Sequence, residues 1–215
     1  MLFSFSGLSG IDYFIVVLAM LLVTVLSLSL HEFAHAFVAY KCGDETPKLQ
    51  GRVTLNPLKH MDAMGFICCL LFGFGWAKPV QINPSNFRNV KKGQAWTSVA
   101  GVLMNLILGF LSYGLYCLML IINVENLFVT FLATFFYYMF FVNIALAVFN
   151  FLPIYPLDGF RFVETMTKYN NGYVRFMYKY GNIILILFVI FMDSLLIQLI
   201  NLIATPIVLF WGLIF

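Results

Sequence analysis

Charge is scarce in this sequence. Lys, Arg, Asp and Glu make up 10% of it, against roughly 25% in an ordinary soluble domain. The net charge of +3 is small, and no dense basic stripe occurs, which argues against nucleic acid as a partner. The four cysteines, Cys42, Cys68, Cys69 and Cys117, form no C-x-x-C pair. Neither a thiolate metal site nor a disulfide framework is suggested, and they read as apolar packing residues. A basic N-terminal region and a small-residue cleavage pattern are both missing, so the first apolar run is expected to persist as a helix. No internal repeat or low-complexity tract is present.

Apolar residues are abundant instead, at 62% of the chain with a mean hydropathy of +0.95. A soluble fold of this size could not hide that surface, so the expected solvent is the lipid bilayer. The first apolar run, about 11–30, continues in helical pattern through HEFAHAFVAYKCG to a C-cap at Gly43. Further spans are expected at about 95–122 and 127–152, then about 182–192, or from one turn earlier, and 195–215, the last carrying Pro206. Between the first two spans, the apolar piece 66–76 is too short to cross a bilayer of ~30 Å. It reads as a re-entrant segment flanked by the short strands GRVTLN and KPVQIN. The expectation is an all-α polytopic membrane protein forming a single domain over 1–215. Three core transmembrane helices and the re-entrant, strand-containing segment fall within about 11–165, and about two accessory spans within 180–215. All twelve Lys and Arg lie in 41–92 and 161–179. By the positive-inside rule those stretches face the cytoplasm.

The chemistry starts at His31-Glu32-Phe33-Ala34-His35. Four residues turn a helix by about 400°, so both imidazoles share a face and can reach one metal. Glu32 can stand beside a metal-activated water as general base. A carboxylate after some twenty apolar residues costs about 2.5–3.5 kcal/mol on insertion scales, so it needs a partner or a function. Catalytic zinc usually takes three protein ligands. Asp12, Glu125 and Asp193 fall at the outer ends of spans, while Asp44, Glu45, Asp62 and Glu164 lie in polar stretches. Asp158, in NFLPIYPLDG, follows a span broken by Pro153 and Pro156, where backbone is exposed at membrane depth. It is the expected third ligand; the competing reading is a turn-forming Asp-Gly pair. His60 either lines the water entry to the site or is a surface-loop histidine.

The ordered set HEFAH, NPLKHMDAMG, GWAKPVQINPSNFRN, AGVLMN and NFLPIYPLDG resembles the site-2 protease family of intramembrane zinc metalloproteases, in its small prokaryotic-type branch without a PDZ domain. The resemblance covers about residues 20–165. It implies one zinc ion per chain on His31, His35 and Asp158, with Glu32 as catalytic acid and base. It also implies membrane-protein substrates and a bacterial or archaeal plasma membrane. Asn105 and Asn150 fit oxyanion or substrate-positioning roles, with interhelical hydrogen bonding as the competing explanation. Two positions depart from the pattern: Val102 stands where proline is common, and Phe160 where a second glycine is common. A metal transporter and an inactive, helix-binding relative are the alternatives. Convergence of the ligands on one motif pair weighs against the first and an intact Glu32 against the second. The substrate and the oligomeric state are not legible in the sequence.

Overall fold

The computed structural model describes residues 10–72, 75–122, 126–168 and 171–215. The turn holding Glu125 and the middle of the 66–76 piece lie outside them. In chain order come α1 (Gly10–Lys41), α2 (Thr46–Leu49), a 3-10 turn at Pro57–Lys59, α3 (Ala63–Phe72), a second 3-10 turn at Pro84–Asn86, α4 (Val90–Ile122), α5 (Leu127–Phe151), α6 (Asp158–Met166), α7 (Gly172–Phe191) and α8 (Asp193–Gly212). Five of these, α1, α4, α5, α7 and α8, are long and apolar enough to cross a membrane.

Helices α1, α4 and α5 pack against one another. Lipid supplies no hydrophobic drive for that association, so close approach through small residues has to hold it. The buried faces show this: Ala19, Ser27, Ala34, Ala36 and Ala39 on α1, and Ala100, Gly101, Gly109 and Gly114 on α4. A polar link joins α5 to α1, where Asn143 Nδ2 donates to Ser27 Oγ at 2.8 Å. Helix α8 closes over α5 with Ile200 and Ala204 against Phe140 and Ile144. It reaches α4 through Trp211, whose Nε1–H donates to the Phe110 carbonyl at 2.9 Å.

At its C-terminal end α1 stops in a Schellman turn. Asp44 N–H donates to the Ala39 carbonyl and Gly43 N–H to that of Tyr40, with Gly43 at φ 114°, a conformation that favours glycine. Asp44 is fully buried and ties the chain after α1 to the turn before α4. Its carboxylate accepts from the Thr46 amide and hydroxyl, from the Asn83 amide at 2.7 Å and from Asn86 Nδ2. Burial alone would raise its pKa; the hydrogen bonds from Thr46, Asn86 and Asn83 outweigh that and hold it below its ordinary value.

Two sequence expectations need correction here. GRVTLN and KPVQIN form no strands; among the described residues the region has one isolated bridge, Met61 to Ala77. The cause is competition for the backbone donors. Lys78 N–H goes to the His60 carbonyl, Val80 N–H to Glu32 Oε2 and Asn83 N–H to Asp44, which leaves no ladder to build. The penultimate span also starts earlier than expected, at Gly172. Asn171 caps it by accepting from Tyr173 N–H at 2.8 Å, and the polar residues of 172–180 are carried as a helical face.

Candidate metal centre

His31 and His35 sit one turn apart near the end of α1, each 6% exposed. Their Nε2 atoms are 3.0 Å apart. Asp158 Oδ2 lies 3.0 Å from His35 Nε2 and 3.2 Å from His31 Nε2. Asp158 reaches them because α6 begins on it, directly after the chain turns out of α5. That turn needs Gly159, whose Cβ would stand 2.1 Å from the Phe151 carbonyl oxygen. The Asp-Gly pair is therefore a helix start pressed onto the end of α5, not a free turn. Phe160 then anchors α6: it is fully buried, with its ring 5.6 Å from that of Tyr155 and 5.3 Å from that of Tyr178. Val102 is buried in α4, which runs unbroken through it.

The donor set fits a zinc ion. Two ligands of a tetrahedral zinc at about 2.0–2.2 Å lie about 3.3–3.6 Å apart, a few tenths of an ångström wider than the three separations of 3.0–3.2 Å. His35 Nδ1 is 2.7 Å from the Thr97 carbonyl. A carbonyl only accepts, so Nδ1 carries the proton and the Nε2 lone pair faces the other two atoms. Three electron-rich atoms so placed call for a cation between them. Among the described residues this is the group of His, Cys, Asp and Glu arranged to hold a metal.

Gly101 is the wall behind the pair. A Cβ there would stand 2.4 Å from His31 Cε1 and 2.5 Å from His35 Nε2, so α4 can approach the histidines only without a side chain. The sequence shows Gly101 only as part of AGVLMN, with no sign of its place at the site. It likewise missed the Thr97 carbonyl, because a backbone acceptor has no residue-type signature.

The remaining expected residues are spread more widely. Glu32, next to His31, is half-buried, and its Oε2 accepts the Val80 N–H at 2.9 Å. Asn105 is fully buried one turn beyond Gly101, and neither of its polar side-chain atoms has a partner. Asn150 Nδ2 donates back to the Leu146 carbonyl within α5. His60 is fully buried, so it is not a surface-loop histidine. It is 2.9 Å from the Thr54 carbonyl and lines a separate small pocket beside Thr24–Ser29 of α1, apart from the triad. On its other side the triad opens into a cleft of about 980 Å³, lined by His35, Asp158, the start of α4, α6 and the start of α7.

The model of peptidase family M50 matches residues 117–192, a stretch that includes Asn150 and Asp158. The chain is 42% identical over 166 residues to "Putative zinc metalloprotease YwhC" of Bacillus subtilis (strain 168), covering 76% of this chain and 73% of that protein. It is 35% identical over 113 residues to "Putative zinc metalloprotease Rip2" of Mycolicibacterium smegmatis (strain ATCC 700084 / mc(2)155), covering 50% and 42%. No solved structure matches significantly. With His31, His35 and Asp158 converging beneath a bundle of apolar helices, and with a relative of this identity and coverage, the chain belongs to peptidase family M50, the site-2 protease family, whose cofactor is zinc.

Proposed function

We propose that the protein is an intramembrane zinc endopeptidase that cleaves transmembrane or membrane-tethered protein segments. His31, His35 and Asp158 hold one zinc ion per chain. When bound, zinc supplies Lewis-acid polarisation and brings the pKa of a coordinated water to about 7. The observation that carries the reading is the buried His31–His35–Asp158 triangle with 3.0–3.2 Å edges, with Glu32 adjacent in the chain.

Glu32 is the general base: it takes the proton from the attacking water and returns it to the leaving amine, work that contributes typically 10²–10⁴-fold. The Val80 amide orients the Glu32 carboxylate by donating to one oxygen, which leaves the other for the proton. Thr97 fixes the tautomer of His35 through its carbonyl. Asn105, buried with both polar atoms unpartnered, is poised to donate to a substrate carbonyl. Asn150 has one amide proton engaged by Leu146, and its second serves the same end. A helical substrate must unwind first, because a regular helix hides its carbonyls. α1 is about 48 Å long at 1.5 Å per residue, and the histidines sit in its last third. The Lys and Arg distribution supports a site in the cytoplasmic half of the membrane.

The test is Glu32→Gln in the purified full chain, with bound zinc measured beside cleavage of a membrane-spanning substrate. Zinc is expected at the wild-type level and cleavage to fall by at least about 100-fold. Undiminished cleavage would remove Glu32 as the base.

A further inference from the structure

We propose that the cleft in front of the triad receives an acidic segment of the substrate, the flank that emerges from the membrane on the Lys- and Arg-rich side. The proposal deepens the protease reading above and rests on it. Lys91 on α4, Arg161 and Lys168 on or just after α6, and Arg175 on α7 all line the cleft. All four are exposed, and among the described residues none is held in an ion pair. Outside the metal triad the cleft has one carboxylate, Glu164, and its Oε1 is already engaged by the Tyr178 hydroxyl at 2.7 Å.

Cytoplasmic-side Lys and Arg would satisfy the orientation rule anywhere along the loops. Here one third of the chain's twelve cations surround a single cleft, and that cleft runs on to His35 and Asp158. A peptide due for hydrolysis has to lie in that space, whereas a lipid headgroup held there would block it. Four exposed cations outnumber the single carboxylate of Glu164 outside the metal triad, so the wall keeps a surplus of positive charge for the occupant to match. An acidic flank supplies it, and a basic one is repelled. Exposed charges of this kind act mainly by steering and selection, so the preference belongs in the rate of productive capture and in its salt dependence.

The experiment uses the full zinc-loaded chain in neutral-lipid vesicles. Substrates share one apolar span and differ in a short run of Glu, Gln or Lys on the Lys- and Arg-rich side. The expected kcat/KM for the Glu flank exceeds that for the Lys flank by roughly tenfold at low salt. The ratio shrinks as salt rises. Arg161→Gln with Arg175→Gln brings the ratio toward one, while Arg161→Lys with Arg175→Lys retains it. Labelled flank peptides binding to the Glu32→Gln protein should follow the same ranking without any need for turnover. Equal binding of Glu and Lys flanks overturns the proposal, whatever the cleavage rates. If the ranking holds but the wild type cleaves none of the substrates, the preference of the cleft stands and the protease reading fails instead. If the double Gln variant loses only its association with phosphatidylserine vesicles and keeps the flank ranking, the cations serve the bilayer and the proposal is overturned.

Discussion

Replacing Gly101 by alanine adds one methyl group at the point where α4 meets the two histidines. The new carbon would lie 2.4 Å from His31 Cε1, 2.5 Å from His35 Nε2 and 2.6 Å from His31 Nδ1. Carbon atoms prefer 3.5–4.0 Å, so the overlap is about 1 Å. His35 cannot simply retreat, because its Nδ1 is held at 2.7 Å by Thr97 on the same helix that carries the methyl. Either both imidazoles shift or α4 backs away from α1. Metal sites tolerate about 0.2 Å in ligand distance, and a misplacement of about 1 Å costs about 100-fold in rate. Zinc affinity should therefore fall by at least about 10–100-fold, and cleavage at limiting zinc by about 100-fold. Stability should fall by up to about 2 kcal/mol. Overpacking costs about 1–3 kcal/mol, and the gain in helix propensity from glycine to alanine returns up to about 1 kcal/mol. Chelator competition, metal analysis and thermal denaturation in detergent measure the three quantities. Gly109→Ala is the control: its Cβ would meet the flexible end of Ile144 at 2.8 Å, away from the histidines, and zinc affinity should be unchanged. A folded Gly101→Ala protein with wild-type zinc affinity and rate would refute the argument that α4 is pressed against the ligand pair.

Val80→Pro removes the N–H that Glu32 Oε2 accepts. Zinc should be retained and cleavage reduced about tenfold or more, since one hydrogen bond to a charged group is worth about 1.5–3 kcal/mol; unchanged cleavage in a zinc-loaded assay would count against the orienting role of Val80. Asn105→Leu fills a fully buried site with an apolar side chain of similar size in place of an amide with no partners. It should melt no lower than wild type yet cleave more slowly, whereas a lower melting temperature with an unchanged rate would make Asn105 a structural residue. Asp44→Asn loses charge-assisted acceptance from Thr46, Asn83 and Asn86, at a cost of about 2 kcal/mol near neutral pH. Because the folded-state pKa of Asp44 is lowered, the unfolded chain binds the proton more readily. The contribution of Asp44 is therefore complete above the ordinary carboxylate pKa of about 3.9 and is lost as pH falls through the lowered value. Denaturation of wild type and variant should differ by a constant amount from pH 5 to 8 and converge in more acidic solution.

The sequence by itself determined the apolar character of the chain, the helices long enough to cross a membrane and the candidate metal-binding residues. Each of these is written in local pattern: an apolar run sets a span, four-residue spacing puts His31 and His35 on one face, and two prolines break the chain ahead of Asp158. It misjudged the 51–83 region because extended residues become a strand only if another backbone takes their donors. In the folded protein the side chains of Glu32 and Asp44 take them first. It also started α7 too late, since a helix cap such as Asn171 shows itself only once the helix is in place. Tertiary structure alone decided which distant groups meet. Asp158 is 123 positions from His35 along the chain and 3.0 Å away in space. The Thr97 carbonyl fixes a tautomer, Gly101 clears the space the imidazoles occupy, and His60 is drawn into a separate pocket. Local spacing can present two ligands on one helix. The third candidate ligand, the wall behind the pair and the charged cleft in front come together only once α1, α4, α6 and α7 are packed.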